Sequence, residues 1–179
     1  MDIDAIIDAT LSKEGGYVNN AADRGGATNF GITEAVARAQ GFTGDMRALP
    51  REEAVDIYQR LYWLRPKFDQ IGAIDMKLGA RLFDIAVNMG PGTAIGFLKR
   101  ALNVLNRGGQ DYPDIAPAPV IDAATIAALH ALIARRGAEG IAVLRKAIDA
   151  LQGEHYIAIA EARPADKEFV FGWLDNRTQ

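Results

Sequence analysis

Cysteine is absent from the 179 residues, and histidine occurs only twice. The first absence excludes a disulfide framework and a thiolate metal site, and the second argues against a histidine-rich metal centre. His130 and His155 each lie near apolar helical positions, with no nucleophile–base set around them, and read as core or surface residues. Positive charge is not in excess. Twenty Lys and Arg against 23 Asp and Glu leave a net charge of −3, which offers no basic footprint for nucleic acid. No stretch approaches the roughly 20 apolar residues that a bilayer-spanning helix needs, so no stable membrane association is expected. The start, Met1-Asp2-Ile3-Asp4, is acidic, whereas a secretory signal opens basic and continues with an apolar core. Internal repeats and low-complexity tracts are also missing, and nothing calls for a cofactor or a metal. What is left is a hydrophobic content of 49% with 24% charged residues, ordinary for a soluble globular monomer with a real core.

Within that ordinary composition one stretch stands out. Ile3, Ile6, Ile7, Thr10 and Leu11 recur at the spacing of one helical face, and Glu14 continues that stripe instead of joining the charged face. Gly15 and Gly16 then stop the helix. A carboxyl group at the negative end of the helix dipole, half sunk in apolar surroundings, is expected to have a raised pKa, as a general acid requires. Tyr17-Val18 can start a strand, Asn19 to Gly26 is rich in turn formers, and Thr28, Phe30 and Ile32 alternate as a returning strand. Folding this hairpin back beside the helix end brings Glu14, Asp23 and Thr28 around one cleft. A carboxylic acid facing a carboxylate is what cleavage of a glycosidic bond needs.

Further along, Thr33 is placed to cap a short helix running to about Gln40. Pro50 starts another, with Ala54, Ile57, Tyr58, Leu61 and Tyr62 on its apolar face, and Arg65-Pro66 ends it. Tyr58, Tyr62 and Trp63 have two readings, core packing or the wall of a sugar groove. Asp75 to Met89 is apolar nearly all round, the mark of a buried helix. Its exceptions, Arg81, Asp84 and Asn88, are either a satisfied polar ladder or, for Asp84 and Asn88, part of the cleft. Gly90-Pro91-Gly92 ends this helix, and Thr93 to Asn106 forms the next. Residues 107 to 119, with two glycines and three prolines, make the clearest composition break and read as a surface loop. Asp122 to Ala134 and Glu139 to about Ala162 are predicted helical. Pro164 separates a last helix that docks through Phe169, Val170, Trp173 and Leu174.

Glu14-Gly15-Gly16-Tyr17, Asp23, Gly25-Gly26, Thr28 and Gly31-Ile32-Thr33 together resemble the signature of glycoside hydrolase family 108. These are lysozyme-like muramidases of phages and bacteria, some described as secretion activators. The order Glu, Asp, Thr is also similar to that of phage-type lysozymes. The resemblance continues through Ile57-Tyr58, Tyr62-Trp63, Phe83-Asp84, Ala86-Val87-Asn88, Gly90-Pro91-Gly92 and Phe171-Gly172-Trp173-Leu174, so it spans nearly the whole chain. It implies a mainly-α, lysozyme-like helical bundle around a central buried helix, with one small β-hairpin beside the active-site glutamate. It also implies a catalytic region over residues 1–92, and a helical region over 93–179 that resembles the family's peptidoglycan-binding segment but could simply complete the same core. Glu14, Asp23 and Thr28 are the candidate catalytic residues. Tyr17, Asn29, Phe30, Tyr58, Tyr62, Asp84 and Asn88 are the candidate substrate-binding set.

Three functions follow as alternatives. One is a muramidase cutting the β-1,4 bond between N-acetylmuramic acid and N-acetylglucosamine, by inversion. Another is a lytic transglycosylase relying on Glu14 alone, which Asp23 and Thr28 disfavour because it needs no carboxylate to activate water. The third is a non-catalytic wall-binding or secretion-helper protein, which an intact Glu14 disfavours. The expected partner is the peptidoglycan glycan strand. Without a signal segment, such an enzyme is expected to be made in the cytoplasm and to reach the periplasmic wall through a holin or another signal-independent route.

Overall fold

Twelve residues of helix open the described chain: α1 spans Ile3–Glu14, with Asp4 in its first turn and Lys13 in its last, each on the favourable end of the helix dipole. The computed structural model describes residues 2–19 and 26–177. Its elements continue with strands β1 (Thr28–Asn29) and β2 (Ile32–Thr33), then α2 (Glu34–Ala39), a 3-10 turn at Met46–Ala48, and α3 (Arg51–Tyr58). A π-helical turn, Gln59–Leu64, extends α3. Then come α4 (Phe68–Ile74), α5 (Met76–Met89), α6 (Pro91–Leu105), α7 (Ala123–Ala162), a second 3-10 turn and α8 (Lys167–Arg177). The fold is mainly α, with one small antiparallel sheet, as a lysozyme-like protein requires. Among the described residues no helix is long and apolar enough to cross a membrane.

The chain divides into two compact units, Met1–Ala80 and Arg81–Gln179, so the division falls inside α5. In the first unit α1 packs against α3, and Ile7, Leu11, Ala54 and Ile57 are all buried. Arg51 also donates to the Asp8 carboxylate at 2.7 Å, but with side chains 45% and 57% exposed this ion pair contributes little beside the apolar contact. Helices α4 and α5 approach at Gly72 and Gly79. A Cβ on Gly79 would lie 2.8 Å from the Gly72 Cα, and one on Gly72 would lie 2.6 Å from the Trp63 ring, so the packing admits no side chain at either position.

The Pro50 helix does not run evenly to Arg65. After Tyr58 it is wound as a π turn, marked by the Arg65 N–H donating to the Arg60 carbonyl at 3.0 Å. An i→i+5 pattern takes up about one extra residue per turn and shifts the apolar stripe. Leu61 and Tyr62, expected inward, are therefore only partly buried, while Trp63 goes to 4% exposure. Asp75 caps α5 by accepting the Leu78 N–H at 2.7 Å. Leu78, Leu82, Phe83, Ile85 and Ala86 are fully buried, as the all-round apolar pattern of this helix predicts.

In the second unit α6 packs along α7, burying Ile95, Leu98, Leu102, Leu129, Leu132, Leu144 and Ile148. Asp122 caps α7 through the Thr125 N–H, and Gly137 bends it with a backbone at φ 57°, ψ −146°, between the two helical stretches read from sequence. The 107–119 loop is held more tightly than its composition suggests. Tyr112 and Ile115 are buried, and the Asn103 amide bonds both the carbonyl and the N–H of Ile115 at 2.9 Å. Helix α8 docks by Trp173 against Tyr156, rings 5.4 Å apart, while Phe169 remains half exposed and Phe171 is 79% exposed.

Candidate active site at the end of helix α1

Glu14 is the last residue of α1, and Gly15 (φ 83°) carries the chain out of the helix. Val18 then pairs with Thr28 through two backbone hydrogen bonds of 2.8 Å. The segment expected to return as one strand through Ile32 instead turns back on itself. Thr28 pairs with Thr33 and Asn29 with Ile32, across a two-residue turn at Phe30-Gly31. Both turn residues have positive φ, 52° and 72°. That is the signature of the type I′ turn, whose twist suits the flanking strands. Strands of two residues are too short for their alternation to be told from a single longer strand.

Two groups fix the hairpin from below. Asn29 is 5% exposed and its side-chain amide donates to the Met46 carbonyl at 2.8 Å. Thr33 closes the other arm as the cap of α2, accepting the Val36 N–H, as its sequence position predicts. The turn itself is held from α3. The Tyr58 hydroxyl donates to the Phe30 carbonyl at 3.0 Å, and Tyr58 is only 3% exposed.

These constraints bring the turn onto the Glu14 carboxylate. A Cβ placed on Gly31 would stand 2.8 Å from the Tyr58 hydroxyl, 3.1 Å from Glu14 Oε2 and 3.2 Å from Glu14 Cβ. Glycine is required there twice over, by its φ and by this contact. Tyr62 lies beside Tyr58, ring centroids 5.3 Å apart and planes at 48°. Burial first, and then the Glu14 charge, push both phenols up from their ordinary value of 10, Tyr58 the more strongly. Both are therefore neutral hydroxyls at physiological pH, and Tyr58 stays a hydrogen-bond donor.

Of the residues singled out from sequence, Glu14, Phe30, Tyr58 and Tyr62 thus meet at one place. Thr28 lies in the same small sheet, and Tyr17 has the Arg47 guanidinium over its ring, 5.0 Å from the centroid. Asp23 lies outside the described residues. Asp84 and Asn88 belong to the second unit: Asp84 pairs with Arg81 at 3.0 Å, and the Asn88 amide donates to the Asp84 carbonyl. Arg81 also bonds Asp149 and the buried Gln152, whose amide reaches Tyr156, so the polar ladder extends into α7. Gly31 and Arg47 were not among the candidates. A glycine between two alternating residues is the signal for the first, and nothing in the sequence joins Arg47 to Tyr17. Among the described residues no group of three His, Asp or Glu side chains is placed to hold a metal ion.

Residues 7–90 match the family model described as glycosyl hydrolase 108, and residues 93–178 match one described as a predicted peptidoglycan domain. The resemblance drawn from the Glu14-to-Thr33 motif is borne out by these matches. No curated protein matches the chain significantly. Among solved structures, the structure of Brucella abortus SagA is similar, with a TM-score of 0.57 at 24% identity, covering 98% of this chain and 97% of that one. At that identity the likeness speaks to the fold.

Proposed function

We propose, from a chain whose residues 7–90 match the glycosyl hydrolase 108 model and whose residues 93–178 match a predicted peptidoglycan domain, that this protein is a lysozyme-type muramidase. The family match points to a glycoside hydrolase of the cell wall, and the second match to a wall-binding region. The finer reading rests on one observation, the packing of the Gly31 turn and two neutral tyrosines around the Glu14 carboxylate. A carboxyl group so braced suits a general acid, because proton transfer depends on holding one oxygen within hydrogen-bond reach of the leaving group. In this reading Glu14 protonates the glycosidic oxygen between N-acetylmuramic acid and N-acetylglucosamine. Asp23 is assigned the activation of water, with Thr28 sharing in holding it; this rests on sequence order alone. Tyr62, only partly buried beside Tyr58, offers ring surface on which a pyranose can stack.

The test is the product spectrum of purified peptidoglycan by mass spectrometry. Reducing muropeptides are expected from the wild type, and Glu14→Gln should lose on the order of 10²–10⁴-fold in rate while keeping its fold. Anhydro-sugar ends would make the protein a transglycosylase, and intact sacculi a binding protein. Near wild-type digestion by Glu14→Gln would remove Glu14 from the acid role.

A further inference from the structure

We propose that a groove in the second unit, where the end of α6 meets the bend of α7, binds the carboxylate-bearing peptide stems of peptidoglycan. This rests on the reading of the protein as a peptidoglycan hydrolase, and gives the C-terminal unit a ligand distinct from the glycan strand. The groove has a volume of about 500 Å³. Arg107, Arg135 and Arg136 line it together with Val104, Leu132 and Val143, and Glu139 is the acidic side chain on its edge. Val104 is 76% and Val143 39% exposed, so apolar surface lies open beside the guanidinium groups.

The charges in the groove are only partly neutralised, by ion pairs from Asp111 to Arg107 and Arg135. The Asp111 carboxylate lies 3.6 Å from Arg107 and 3.8 Å from Arg135, longer than a hydrogen bond to either. Three guanidinium groups thus face two carboxylates, Asp111 and Glu139, and the lining keeps a net positive charge. The backbone on both walls is irregular where these residues sit. Arg107 has φ 57° directly after α6, a conformation disfavoured for any residue with a Cβ and often found at ligand clamps. It is held by Asn106, whose side-chain oxygen accepts the Gly109 N–H and whose amide donates to Asp114 at 2.6 Å. Opposite, the bend at Gly137 places Arg135 and Arg136 at the end of one helical stretch and Glu139 at the start of the next.

The residue types select the ligand. Arginine forks read carboxylates through paired N–H donors, and aliphatic surface accepts methyl groups. A peptide stem presents both, free carboxylates alternating with alanine methyls. In a glycan that bears stems the lactyl carboxylate of each muramic acid is taken up in the amide bond to the stem, so the sugars themselves present no free carboxylate and favour aromatic platforms. No aromatic ring is among the described residues lining this groove, whereas the partly exposed Tyr62 supplies one near Glu14.

The experiment is calorimetric titration of the full chain with an isolated stem tetrapeptide, the same peptide with its carboxylates amidated, the disaccharide N-acetylglucosaminyl-β-1,4-N-acetylmuramic acid with its lactyl carboxylate amidated, and inorganic phosphate. None of these contains a bond the proposed enzyme cuts. The stem peptide should bind, more weakly as salt rises, and the amidated peptide should not. Both Arg135 and Arg136 are exposed, so the Arg135→Gln/Arg136→Gln variant should keep its melting temperature and lose about tenfold or more in stem affinity, the scale of a lost hydrogen bond to a charged group. Equal binding of the amidated peptide, an unaffected double variant, displacement of the stem by phosphate at equal affinity, or no stem binding would each overturn the proposal. If stems fail to bind but sacculi are cleaved, the groove proposal alone falls. If stems bind through the arginines but sacculi stay intact, the hydrolase reading falls and the groove stands.

Discussion

Replacing Gly31 by alanine tests the hairpin–glutamate contact directly. Alanine at φ 72° costs about 1–2 kcal/mol for the left-handed backbone alone. Its Cβ would also lie 2.8 Å from the Tyr58 hydroxyl and 3.1 Å from Glu14 Oε2, well inside van der Waals contact. Tyr58 cannot swing away, because it is 3% exposed and its hydroxyl is bound to the carbonyl of the same turn. The strain must move either the hairpin or the Glu14 carboxylate. Overpacking of this kind costs typically about 1–3 kcal/mol. Added to the backbone term, it should lower the melting temperature by roughly 5–15 °C for a chain of this length.

Digestion of purified peptidoglycan should fall further than stability explains, because a shift of about 1 Å in a catalytic group can cost roughly 10²-fold. Gly41→Ala is the control. Its φ of 97° carries a comparable backbone penalty, but a Cβ there meets nothing within 4 Å, so its activity should be unchanged. Tyr58→Phe in the Gly31→Ala background removes the nearest clashing atom, so the double variant should lose less stability than the sum of the two single changes. Wild-type melting and digestion by Gly31→Ala would refute the reasoning, and so would an equal loss of activity in Gly41→Ala.

Three further outcomes are expected. Ultraviolet titration of the phenolates should find Tyr58 and Tyr62 ionising above the ordinary value of 10, and Glu14→Gln should bring both down, since it removes a negative charge that raises them; an unchanged titration would separate the tyrosines from Glu14. Asp122 is held at about 2, below its ordinary 3.8, first by the Thr125 hydroxyl, then by the Thr125 N–H and Lys99. A depressed carboxylate stabilises the fold above its unfolded pKa and loses that contribution as pH falls through the folded value, so melting temperature should drop between about pH 4 and 2, less steeply in Asp122→Asn. NMR of the freshly released reducing end should show inversion, with Asp23→Asn slowing turnover strongly and Thr28→Ala less so; a β-configured first product would make Asp23 a nucleophile.

Much of the helical framework is legible because it obeys local rules. The α1 stripe, the Thr33 cap, the prolines at positions 50, 91 and 164 and the all-apolar α5 each specify their element without long-range help. What escapes is whatever depends on a partner distant in sequence. The π turn at Gln59–Leu64 moves Trp63 inward against Gly72, and no periodicity announces that exchange for Leu61. The 107–119 loop reads as surface because its prolines and glycines dominate, yet Tyr112 is buried and its hydroxyl donates to the Leu102 carbonyl.

The site divides along the same line. Glu14 is visible because it sits on an apolar stripe beside two glycines, a purely local pattern. The Phe30-Gly31 turn hides because strands of two residues carry too little alternation to mark where one ends, and because Phe30 is not a residue that usually takes a positive φ. Tyr58, 28 residues from Phe30, is what makes that conformation tolerable by bonding its carbonyl. A tyrosine that reads equally as core or as groove wall is therefore partly both: its ring is buried in the first unit, and its hydroxyl sets where the hairpin meets the carboxylate. Core packing and site geometry are here the same contact. Substitutions that loosen the α3 core at Ala54 or Ile57 should then disturb Glu14 through Tyr58, although neither residue is among the candidate site residues.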